Sequence, residues 1–242
     1  MLAKITDTIL ISFEDARDRI PNAKKIVLTG TPIKINTKEL NESEKMAMIK
    51  QLDLNNEKPI VLIFGGSQGA KKINEAVVDL LSQKQELNYQ IILSAGEKQY
   101  NIILEQCKEK QIEISNNKDV KIFPYIYDMG EVEKISDVLV CRSGATTIAE
   151  ISAIGKPAIF VPLPNVSNNH QTYNAKVLEN INAAKIIKNE ELTGEKLDKT
   201  INSLISNKVN LKIMGENAKK IEIRDVEERI YKEIKETLNQ KS

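Results

Sequence analysis

The chain has 242 residues, 41% of them apolar and 4% aromatic, with 35 Lys and Arg against 34 Asp and Glu for a net charge of +1. Such a chain holds one large domain, or one domain and a fragment of another, around a core of Ile, Leu, Val and Ala. The balanced charge offers no field for a polyanion, which argues against a general nucleic-acid binder.

Two cysteines, Cys107 and Cys141, suit free thiols in a reducing compartment, and with the single histidine, His170, they cannot build a metal site. No Asp-x-Asp pair is present to seat a divalent ion. The longest apolar runs, such as Ile60–Phe64 and Ala158–Val161, fall well short of the ~20 residues of a membrane span. Nor does the chain open with a signal-peptide pattern. A cytoplasmic chain is expected, soluble or resting on a membrane surface.

In chain order, Met1–Thr29 holds strand-like Thr8–Ile11 and Lys25–Leu28 before Gly30-Thr31-Pro32 breaks the run. Two strands cannot bury a core alone, so this opening reads as the tail of another domain. Asn55–Pro59 is a turn leading into the buried strand Ile60–Phe64. Strands then follow at Tyr89–Ser94, Val120–Phe123, Val138–Val140, Ala158–Val161 and Ala184–Ile187. Helical spacing marks Ala70–Ser82, Lys98–Lys110, Thr146–Ile154 and Gln171–Glu179. The alternation predicts an α/β fold, a Rossmann-like parallel sheet with helices on both faces, because parallel strands need crossover helices. At the end, Asp225–Leu238 places Val226, Ile230, Ile234 and Leu238 on one face of an amphipathic helix. Both ends are expected to pack on the main domain or on each other.

Three clusters could carry chemistry. Gly65-Gly66-Ser67-Gln68-Gly69-Ala70 follows a strand and opens a helix, the geometry that offers backbone N–H groups to phosphates. Ser67 and Gln68 add a hydroxyl and an amide; Ser67 alternatively caps the helix. The second cluster, Cys141–Glu150, repeats the arrangement, with Ser143-Gly144 before a helix starting near Ala145–Thr147. A diphosphate at that helix N-terminus needs neither metal nor lysine. Glu150 either closes a capping box on Thr147 or accepts both hydroxyls of a ribose, and spacing alone leaves the two even. The third cluster, Asn168–Ala175, is rich in neutral donors and acceptors that suit sugar hydroxyls; Asn168 or Asn169 could instead cap a helix. His170 is read as a structural donor rather than a general base.

Together with Gly30-Thr31-Pro32-Ile33-Lys34 and Gly155-Lys156-Pro157, these clusters resemble the MurG family of bacterial glycosyltransferases. Its members transfer N-acetylglucosamine from UDP-N-acetylglucosamine to the lipid-linked muramyl-pentapeptide precursor of peptidoglycan. The resemblance covers nearly the whole chain. It implies the C-terminal half of a GT-B glycosyltransferase: residues 1–34 a remnant of the N-terminal acceptor domain and linker, 35–222 the donor-binding domain, 223–242 a C-terminal helix.

Carried over by position, Gly66, Ser67 and Gln68 would lie near the donor's diphosphate and sugar, and Ala145, Thr146 and Thr147 would give N–H groups to the phosphates. Glu150 would hold the ribose. The Ile126 backbone, with Tyr125 beside it, would meet the uracil, while Gln171 and Asn174 would read the N-acetylglucosamine hydroxyls. Lys34 stands where the family often has Arg, keeping the charge but losing the two-pronged grip on a phosphate. No cofactor and no metal are expected, UDP-N-acetylglucosamine being a substrate. The acceptor would be held by an N-terminal domain or partner, which would also supply the general base, at the inner face of the cytoplasmic membrane. Rival readings are a non-catalytic UDP-sugar-binding subunit of a split glycosyltransferase, a UDP-N-acetylglucosamine 2-epimerase, and an inactive truncated fragment.

Overall fold

The computed structural model describes residues 5–84, 86–115, 117–164, 166 and 169–239. Six strands, β3 (Ile60–Phe64), β4 (Gln90–Ser94), β5 (Val120–Phe123), β6 (Val138–Cys141), β7 (Ala158–Phe160) and β8 (Ala184–Ile186), form one sheet in the order β5-β4-β3-β6-β7-β8. Every pairing in it is parallel. Crossovers are made by α2 (Lys71–Gln83), α3 (Glu97–Glu109), α4 (Met129–Ile135), α5 (Ala145–Ile154) and α6 (His170–Asn180). This is the doubly wound Rossmann order, and its direction reverses between β3 and β6.

Apolar residues line both faces of the central strands because both faces are covered. Val61, Ile63, Ile91, Leu93, Val138 and Val140 enter one core, shared with α2, α3 and α7 (Gly194–Ile205). Their neighbours Ile60, Leu62, Phe64, Ile92 and Leu139 enter the other, shared with α4, α5 and α6. The period of two residues along each strand sets which core a side chain joins. Two further helices, α1 (Glu42–Gln51) and α8 (Lys208–Lys219), complete the layers.

The first described residues form a separate parallel pair, β1 (Ile9–Ile11) with β2 (Ile26–Leu28), joined through a 3-10 turn over Glu14–Arg19. The last helix, α9 (Val226–Asn239), returns to this pair. Lys25 bridges to Glu233 at 2.5 Å, and the Thr8 and Thr237 hydroxyls lie 3.4 Å apart. Gly30 backs so closely on Ile223 and Val226 that a Cβ there would meet both at 3.0 Å. The two ends therefore pack on each other, while Ile234 and Leu238 remain more than half exposed.

Candidate functional site

At the carboxyl ends of β3 and β6, where the strand order reverses, a cleft of about 570 Å³ opens between the two glycine-bearing turns. That volume falls within the range of ~300–1,000 Å³ usual for small-molecule sites. Its walls include Gly66, Lys72, Arg142, Gly144, Thr147 and Gln171. A second groove, of about 630 Å³, sits at Pro59, Lys156 and Pro157, the amino ends of the strands. Ligands of open α/β sheets bind at the carboxyl ends, at the reversal.

The glycines on the two turns have different reasons to be there. Gly69, at φ +72°, has its α-carbon pressed against the next loop, and a Cβ would lie 2.0 Å from the Ala95 carbonyl oxygen. Packing demands that glycine. Gly66 takes φ +83° with open space where a Cβ would stand. Gly144 has ordinary angles, φ −65° and ψ 152°, and a Cβ would meet only the Thr147 hydroxyl, at 3.9 Å. Neither strain nor packing accounts for Gly144; bare backbone facing a cleft suits the close approach of a ligand.

The helix starts divide in the same way. Those of α2, α3, α4, α5 and α6, which follow strands at this edge, have no side-chain cap; their N-cap residues are Ala70, Gly96, Asp128, Gly144 and Asn169. Away from the edge, α1, α7 and α8 are capped by the side chains of Asn41, Thr193 and Asn207. An uncapped N-terminus presents orphan N–H donors and about half a positive charge. The starts of α2 and α5 both lie in the cleft, so a diphosphate there would meet two such ends, each worth roughly 0.3–2 kcal/mol to an anion.

Neither Ser67 nor the pair Thr147 and Glu150 caps a helix, contrary to the capping alternatives the sequence allows. Ser67 does not cap α2, whose N-cap is Ala70. Thr147 lies inside α5, which begins at Ala145 after Gly144, so Thr147 and Glu150 form no capping box. Glu150 is half-buried, and burial raises its carboxyl above the ordinary value. Asn169 is the N-cap of α6, at φ 51° and without a side-chain cap bond, while Asn168 lies outside the described residues.

Of the expected site residues, Gly66, Thr147 and Gln171 line the cleft. Ser67 and Gln68 are exposed on the first turn, and Ala145 and Thr146 open α5. The first turn of α6 is tied to the second glycine turn: Asn174 Nδ2 donates to the Ser143 carbonyl at 3.2 Å, and Gln171 Oε1 accepts from Leu163 N–H at 2.9 Å. His170 is exposed at the start of that helix. Ile126 is buried just beyond β5, and Lys34 is exposed between β2 and α1; neither lines the cleft.

Sequence reasoning gave no role to Arg142, Asn189 or Glu133. Arg142 Nη1 donates to the Val161 and Pro162 carbonyls and to Asn189 Oδ1, at 2.8, 3.2 and 2.8 Å. The cleft wall is thereby clamped across three loops. Glu133 is buried beneath, with no hydrogen-bond partner on either carboxylate oxygen among the described residues. The uncapped starts could have been found in the sequence, since Ala70, Gly96 and Gly144 are residue types with no side-chain acceptor to cap with. Among the described residues no cluster of three or more His, Cys, Asp or Glu is placed to hold a metal ion.

Residues 60–230 match the model of the glycosyltransferase family 28 C-terminal domain. The chain belongs to that family. A relative from Thermoanaerobacter sp. (strain X514) is 41% identical over 235 residues, covering 97% of this chain and 63% of the relative. One from Alkaliphilus oremlandii is 38% identical over 241 residues, covering 100% of this chain and 64% of its own length. Both carry the name UDP-N-acetylglucosamine–N-acetylmuramyl-(pentapeptide) pyrophosphoryl-undecaprenol N-acetylglucosamine transferase. The crystal structure of Acinetobacter baumannii MurG superposes with a TM-score of 0.73 at 27% identity, over 97% of this chain and 62% of that one. The chain thus spans a little under two thirds of these relatives. The family 28 match contains both glycine turns, every uncapped helix start and the three-loop clamp on Arg142.

Proposed function

We propose that this chain is the donor-binding part of an N-acetylglucosaminyltransferase that uses UDP-N-acetylglucosamine and acts on a lipid-linked muramyl-pentapeptide in peptidoglycan synthesis. The observation that carries the reading is the pair of uncapped helix starts, at Ala70 and Gly144, on opposite walls of the cleft at the strand-order reversal. The relatives' printed names supply the substrates.

In this reading the diphosphate lies across N–H groups of residues 66–68 and 145–147, with Lys34 reaching it from the linker. Glu150 accepts the ribose hydroxyls, the Ile126 backbone meets the uracil, and Gln171 and Asn174 read the sugar. The acceptor hydroxyl attacks the anomeric carbon with inversion. A carbon–oxygen bond forms, the bond from that carbon to the diphosphate breaks, and the hydroxyl proton passes to a base outside this chain. Charge developing on the departing UDP is met by N–H dipoles already in place, which need no reorganisation as it grows. No helix among the described residues is long and apolar enough to cross a membrane. The proposed location is the inner surface of the cytoplasmic membrane, through the acceptor-binding domain or partner. Residues 1–34 belong to that side in this reading, 35–222 form the donor domain, and 223–242 the returning helix.

Calorimetric titration with UDP-N-acetylglucosamine, and with UDP-glucose as control, tests the reading. Micromolar to millimolar binding that favours the N-acetylated donor supports it; equal affinity for both sugars contradicts the sugar-reading role of α6.

A further inference from the structure

The start of α6 is held from three sides. Gln171 reaches the Leu163 N–H, Asn174 reaches the Ser143 carbonyl, and Tyr173 between them turns the other way. The Arg19 guanidinium carbon lies 3.9 Å from the centre of the Tyr173 ring. Arg19 ends the 3-10 turn of the N-terminal pair, a turn with no buried residue of its own. Polar contacts fix that turn instead: Arg17 donates to the Ile26 carbonyl at 3.0 Å and forms an ion pair with Glu14. On the other side, the N-cap Asn169 adopts φ 51° and bonds no backbone N–H of the first turn; its Oδ1 accepts from the Thr172 hydroxyl at 2.7 Å instead.

We propose that Arg19 is a positioning residue, stacking on Tyr173 so that the N-terminal pair sets how α6 presents Gln171 and Asn174 to a bound sugar. The inference rests on the donor reading above and extends it to a residue far away in sequence. A cation over an aromatic face is an orienting contact as well as an attractive one, since it weakens when the charge slides off the ring. Tyr173 is 41% exposed, so losing the stack leaves no cavity. Its effect should therefore show in ligand preference rather than in folding. In that reading the diphosphate and nucleoside are held by the starts of α2 and α5, by Lys34 and by the Ile126 backbone, whereas the ring that Arg19 stacks on belongs to α6. Only the sugar's share of the affinity should respond.

The test is titration of the full chain with UDP and with UDP-N-acetylglucosamine, comparing wild type with Arg19→Ala, Tyr173→Leu, Tyr173→Phe and the double variant Arg19→Ala/Tyr173→Leu. Arg19→Ala and Tyr173→Leu should each weaken UDP-N-acetylglucosamine binding about two- to five-fold, the range of an exposed cation–π contact. UDP binding should stay unchanged. Tyr173→Phe keeps the ring face and should behave as wild type, and the double variant should lose no more than either single one. An unchanged ratio of the two affinities, equal losses for both ligands, or additive losses in the double variant would overturn the proposal. A wild-type chain that binds neither ligand would instead remove the donor reading, and this inference with it.

Discussion

Ser143 donates its hydroxyl to the main-chain carbonyl of Gln171 at 2.8 Å, joining the turn that precedes α5 to the first residues of α6. The Ser143 side is fully buried, so this bond fixes the turn before α5 and the start of α6 as one unit. Ser143→Ala should cost about 1 kcal/mol, the usual worth of such a bond. It should also weaken UDP-N-acetylglucosamine binding more than UDP binding. Thermal melts and paired titrations check both, and a variant that melts lower but keeps its ligand preference would assign Ser143 a purely structural part. Gln171→Ala should show the same preference loss with little change in melting.

Gly69 and Gly144 make a paired test. A Cβ at Gly69 would strike the Ala95 carbonyl, on a left-handed backbone, so Gly69→Ala should destabilise the fold by roughly 1–3 kcal/mol. At Gly144 two small effects oppose each other: a stiffer unfolded chain favours Ala, and the N-cap position disfavours it. Gly144→Ala should melt within a few degrees of wild type yet lose at least tenfold in UDP affinity. Retained affinity would mean that the ligand does not approach that backbone.

Most of the sheet could be read from the sequence because buried parallel strands are continuous apolar runs. Ile60–Phe64 and Val120–Phe123 fall where expected, and the other expected strands agree to within a residue. Four helices were not foreseen, for different physical reasons. α1 buries only Ile49, so its apolar spacing is weak; its signal is the capping box of Asn41 and Glu44. α4 spans 7 residues, too few for a clear period. α8 packs through Gly215 and Ala218, and a Cβ on Gly215 would lie 2.4 Å from the Gly155 carbonyl, so closeness takes the place of apolar bulk. α7 carries Leu197, Ile201, Leu204 and Ile205 at helical spacing, a pattern that could have been read but was missed. The cleft's two turns could be read as well, but the Arg142 clamp joins residues 19, 20 and 47 positions apart, which no local pattern reveals.

Glu150 bears no capping duty, so Glu150→Ala should leave the melting temperature nearly unchanged while weakening UDP binding. The same side chain gives a pH dependence. A carboxylate accepts two ribose hydroxyls only when ionised, and burial raises its pKa. UDP affinity should therefore begin to fall at a higher pH than an ordinary carboxyl would dictate as the solution is acidified. The Glu150→Ala variant should lack that fall; an identical pH profile in both proteins would contradict the ribose role.

Glu133 predicts a stability effect. Burial, with Glu150 nearby, pushes its carboxyl up to about 8 from an ordinary 4.5. Between those values the folded chain keeps a proton that the unfolded chain has released. The contribution is therefore full below 4.5 and is lost as the pH rises toward 8. Glu133→Met removes that loss, so its melting temperature should exceed wild type by several degrees at pH 8 and by clearly less at pH 5. The same difference at both pH values would show that Glu133 is not kept neutral by its surroundings.

The proposed donor site places a nucleoside diphosphate at the carboxyl edge of the sheet, between the starts of α2 and α5. Backbone amide chemical shifts recorded during a UDP titration test it most directly. The largest shifts should fall on the amides of residues 66–72 and 144–148, with Gly66 and Ala145 among them. Shifts centred instead on the groove at Lys156 and Pro157, or none at millimolar UDP in a folded sample, would contradict it.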